Sequence, residues 1–177
     1  MLAMRRFLVI LGCALVTVPA AIARSTATGD GVFELKAVYG KVTIGKALQP
    51  ARGLLWGQMD NGTLIVQDPV LGDGKILVTG WDTRVPTPAL PDGTPAQTTY
   101  TGANMHFRVT GGKYRLIFRG SGIDLTAIGA GVALLNASEN AIDAGYYAVD
   151  SGDWTAAPLN VTKSVPFGTP TPPLPAP

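Results

Sequence analysis

Apolar and polar residues alternate most cleanly over 104–120 (NMHFRVTGGKYRLIFRG), and the pattern predicts two strands about a Gly111-Gly112 turn. Glycine at both loop positions suits a two-residue type I′ hairpin, which needs φ > 0 twice. That register pairs Thr110 with Lys113, Val109 with Tyr114 and Phe107 with Leu116, and sets Met105 facing Phe118. Met105, Phe107, Val109, Tyr114, Leu116 and Phe118 then share one face, because strand side chains alternate. His106, Arg108, Lys113, Arg115 and Arg119 share the other, with Ile117 among them.

The same period-2 signal recurs along the chain, while no stretch sustains a helical period. Residues 32–39 alternate, and a turn at Gly40-Lys41 pairs Tyr39 with Val42 and Ala37 with Ile44. Asp60-Asn61-Gly62-Thr63 predicts a second hairpin, in which Met59 meets Leu64 and Gly57 meets Val66. Asp68-Pro69 ends that strand, since proline cannot donate to a ladder. Strands are also expected over 75–81, 123–128, 132–135, 145–149 and 159–165, the last two separated by a turn at 150–153. The Gly-x-Gly steps at 120–122 and 129–131 open no helix, so they read as kinks or bulges where a strand crosses between sheets, not as phosphate loops. Residues 82–101, with Pro86, Pro88, Pro91 and Pro95, read as one long irregular loop. About ten short strands joined by tight turns imply an all-β fold, an antiparallel sandwich in preference to a closed β-barrel.

The ends are organised differently. Arg5 and Arg6 precede an apolar run over 7–18 and the small residues Ala21 and Ala23, the layout of a cleaved secretory signal over 1–23. Twelve apolar residues fall short of the roughly 20 that a membrane-spanning helix needs, so no transmembrane helix is expected in the mature chain. Two variants of this reading are a folded-export route through the twin arginine and a lipoprotein anchored at Cys13, the single cysteine. The expected product is one β-domain over 24–168 followed by a proline-rich extended tail over 169–177, secreted or associated with the cell envelope. Losing Arg5 and Arg6 leaves 12 basic residues against 12 acidic ones, so the basic pI belongs to the leader and does not point to nucleic acid.

The run RGSGIDLTAIGAGVALL after the basic stretch, with the closing VPFG at 165–168, resembles uncharacterised secreted β-rich domains of high-GC bacteria. The resemblance covers about half of the mature chain and implies location and fold, not an activity.

Chemistry is sparse. His106, the only histidine, reads as a solvated strand residue on the basic face, and one histidine cannot anchor a zinc site, so neither metal nor cofactor is expected. Most aspartates adjoin glycine or proline, where they serve turns; Asp124 and Glu139 remain as a candidate acid pair for a polysaccharide hydrolase. A third reading is a carrier for an apolar ligand inside a barrel. Sequons at Asn61, Asn136 and Asn160 matter only in a host that glycosylates them. The leading expectation is a non-catalytic domain contacting an anionic envelope polymer or lipid headgroups through His106, Arg108, Lys113, Arg115 and Arg119. In the hairpin register Arg108 stands opposite Arg115, a like-charge pair that an anion would relieve.

Overall fold

The computed structural model describes residues 29–89, 95–137 and 144–169. The signal sequence, Cys13, Glu139 and most of the proline-rich tail lie outside the described residues. Those described are all-β. The strands are β1 (Gly31–Ile44), β2 (Ala51–Gln67), β3 (Ile76–Thr79), β4 (Thr83–Thr87), β5 (Gln97–Ala137), β6 (Tyr146–Val149), β7 (Thr155–Ala156) and β8 (Lys163–Phe167). They form one open antiparallel sheet and not a closed barrel. Fewer and longer strands replace the ten short ones expected.

β5 comprises three limbs, 97–110, 113–130 and 131–137. β2 lies between the first two: Leu55 pairs with both Val109 and Ala127, and Leu64 with both Tyr100 and Phe118. β1 pairs with the second limb from Gly31↔Gly129 to Ile44↔Leu116, and through its C-terminal part with the third limb, Ile44↔Ala133. Partner numbers run in opposite senses throughout these ladders, which makes them antiparallel. β3 and β4 flank the first limb, β8 flanks the third, and β6 flanks the start of β1.

The sheet is folded in half. Tyr114 pairs with Ala51, and the next residue, Arg115, pairs with Gln67. A straight strand would hold Ala51 and Gln67 roughly 53 Å apart at about 3.3 Å per residue, so β2 must turn back on itself. Residues from the two halves meet inside. Phe107 and Phe118 lie 4.7 Å apart between ring centroids, and Phe33 and Phe167 5.7 Å. Phe33, Leu35, Ile44, Leu55, Met59, Leu64, Met105, Tyr114, Leu116, Phe118, Ile123 and Phe167 are all essentially inaccessible. Burial of this apolar surface from both halves is what holds the folded sheet closed on itself.

Every long strand bends at a glycine, and the glycines stand in one row: Gly102↔Gly62↔Gly120↔Gly40. On each strand the inward-facing positions step by five at that row, from Ala37 to Val42, Met59 to Leu64, Tyr100 to Met105 and Phe118 to Ile123. An odd step reverses the alternation, so both halves aim their apolar side chains at the same core.

This arrangement corrects the three hairpins expected from the sequence. Val109 is occupied on both edges, by Leu55 and Ile76, and Leu116 by Val66 and Ile44, so the arms flanking Gly111-Gly112 cannot pair with each other. The apolar face is as expected; its ladder partners are not. Gly40-Lys41 and Asn61-Gly62 likewise sit inside continuous strands and make bends. The stretch 82–101 is not one loop, because β4 pairs with 97–101. Asp150 and Ser151 do form the expected turn, with φ of 52° and 59°.

Candidate functional site

The outer side of the bend carries a trough of about 570 Å³. Its floor is Gly40, Gly120 and Gly62, where three adjacent strands present bare backbone. One bank is the ladder row Asn136–Lys41–Arg119–Thr63, and the other is Tyr39–Ser121–Asn61. Lys41, Arg119, Thr63 and Asn136 point outward because their neighbours Val42, Phe118, Leu64 and Leu135 take the inward positions, whereas Tyr39, Ser121 and Asn61 fall inside the five-residue step, where the alternation is broken. Beyond Gly62 the backbone of Gly80, Trp81 and Asp82 packs close against Gly102.

Lys41 and Arg119 are direct cross-strand neighbours, both exposed, and neither forms an ion pair among the described residues. Like charges set opposite each other destabilise a strand pair, and among the described residues no carboxylate lines the trough. Tyr39 is half-exposed. Asn136 donates one amide N–H to Thr162 Oγ1 at 2.9 Å and keeps its carbonyl oxygen available.

The five basic residues singled out in the sequence do not form a stripe. His106 and Arg108 lie on the outer face of one half, beside Trp56, Gln58 and Asp124 in a separate depression of about 450 Å³. Arg108 opposes Trp56 and Leu77, not Arg115. Lys113 sits where the chain crosses between halves, and its backbone N–H donates to Asp73 Oδ2 at 2.9 Å. Arg115 opposes Gln67 and donates from Nη1 to its Oε1 at 2.7 Å; burial lowers the affinity of this guanidinium for its proton. Arg119 alone belongs to the trough. Lys41, Tyr39, Asn61 and Asn136 were not anticipated. Their signal was the glycine set inside a five-residue apolar step, repeated in four segments.

Asp124, one of the two candidate acids, has Lys36 and Gln58 as ladder neighbours. The depression lined by the core residues Leu35, Val42 and Leu135 holds about 10 Å³, far below the few hundred Å³ of a ligand cavity. Among the described residues no three His, Cys, Asp or Glu side chains gather as a metal site would require, and no helix is long and apolar enough to cross a membrane. No family model, curated protein or solved structure matches the chain.

Proposed function

We propose that this is an exported, non-catalytic β-domain that binds anionic material at the cell envelope, and that the contact is the trough at the bend. The observation that carries the reading is the juxtaposition of Lys41 and Arg119, two exposed cations on neighbouring strands that form no ion pair among the described residues, at the rim of a groove whose described lining carries no acid. An anion laid between them relieves their repulsion, and an arginine fork accepts carboxylate or phosphate with two parallel hydrogen bonds. Export follows from the leader-like N-terminus.

The test is retention on immobilised polyanions, polygalacturonate and polyphosphate, at low and high salt. The parent chain binds at low salt and elutes as salt screens the contact. Lys41→Glu with Arg119→Glu abolishes retention, whereas Arg108→Glu, on the separate face, retains it. Equal retention of the trough double variant and the parent refutes the assignment.

A further inference from the structure

The trough is built for more than charge, and we infer that its ligand is an acidic polysaccharide, lying across the strands with about three sugar units in contact. This inference rests on the reading of the trough as an anion site.

The length comes from the sheet. From the third limb of β5 at Asn136, across β1 and the second limb of β5, to β2 at Gly62, the trough spans four neighbouring strand segments, three intervals of about 4.8 Å, or roughly 14 Å. A sugar unit in a linear chain advances by about one such interval, so successive units lie over successive strands. The floor is backbone at Gly40, Gly120 and Gly62, a flat surface on which a ring-sized group can lie.

The banks divide the chemistry of a uronic acid unit between them. On one side Lys41 and Arg119 meet carboxylates carried by adjacent units. On the other, the half-exposed ring of Tyr39 offers an apolar face to the C–H side of a pyranose. Asn61 there supplies an amide donor and acceptor and Ser121 a hydroxyl, while Asn136, beside Lys41 on the first bank, adds a carbonyl oxygen; the set matches the donor-and-acceptor character of sugar hydroxyls. A polyanion without hydroxyls or apolar ring faces leaves these groups unused.

Isothermal titration with galacturonate oligomers of two to six units, polyphosphate of comparable charge, and neutral dextran separates the possibilities. The expected result is binding of the galacturonates, with affinity rising to about three units and then levelling. Polyphosphate binds at least about tenfold more weakly, and dextran negligibly. Tyr39→Ala weakens galacturonate binding about tenfold and leaves polyphosphate binding unchanged, while Tyr39→Trp preserves both. Circular dichroism confirms that both variants remain folded. If polyphosphate and galacturonate bind alike and Tyr39→Ala changes neither, the sugar inference falls and the anion reading stands. If the parent chain binds neither anion, both fall.

Discussion

Gly62 and Gly120 face each other across neighbouring strands so closely that a Cβ on Gly62 would stand 2.8 Å from the Gly120 Cα and run into the Arg119 carbonyl oxygen. Their φ values, 143° and 155°, also lie where side-chain-bearing residues are strained. The bend therefore depends on the absence of side chains in two directions. Laterally it lets the backbones of neighbouring strand segments close up and turn together, and toward the core it leaves room for Met59.

Replacing either glycine by alanine should cost about 1–3 kcal/mol in chemical denaturation, since backbone must move to make room. Gly72→Ala is the control. Nothing lies within 4 Å of a Cβ there, so only its positive φ of 86° counts, at roughly 1 kcal/mol. Equal effects at Gly62 and Gly72 would show that the bend tolerates side chains.

Tyr114 carries a different cost. Among the described residues its buried hydroxyl has no hydrogen-bond partner, and burial raises its pKa above the ordinary value of 10.0. Tyr114→Phe removes an unsatisfied group, so stability should be unchanged or higher by about 1–2 kcal/mol. A folded-state pKa above the unfolded one favours the fold fully at lower pH, and that contribution is lost as pH rises past the unfolded tyrosine value. The parent chain should therefore lose stability above about pH 10 more steeply than the Phe variant. Denaturation midpoints from pH 8 to 11 check both points.

Two outer strands carry prolines, Pro86 on β4 and Pro166 on β8, each opposite a single neighbour in β5. A proline on an edge strand withholds a ladder donor from any incoming chain. Pro86→Val together with Pro166→Val should shift the protein toward larger species in size-exclusion chromatography with light scattering. An unchanged profile would mean that other features guard these edges.

The apolar faces of the long strands were legible in the sequence, because alternation reports which side chains share a side whatever the strand pairs with. The pairing partners were not. A two-residue hairpin and a strand bent at a bulge both place inward residues an odd number apart, so Met59 and Leu64 satisfy either geometry equally well. Gly40, Gly62 and Gly111 all match turns in the sequence, through the same permissiveness that lets the first two bend a continuous strand. Arg119 stands in a strand pattern that is legible in the sequence, whereas Lys41 follows a glycine that reads as a turn. The partnership between them spans 78 positions and exists only through the β1 ladder.

The most direct test of where this protein makes its contact is amide chemical-shift mapping of the ¹⁵N-labelled chain titrated with trigalacturonate. Shifts concentrated at residues 39–41, 61–63, 119–121 and 136, and suppressed by raising the salt, are the predicted result. Shifts centred on Trp56, His106 and Arg108, or none at all, would contradict the assignment of the trough as the binding site.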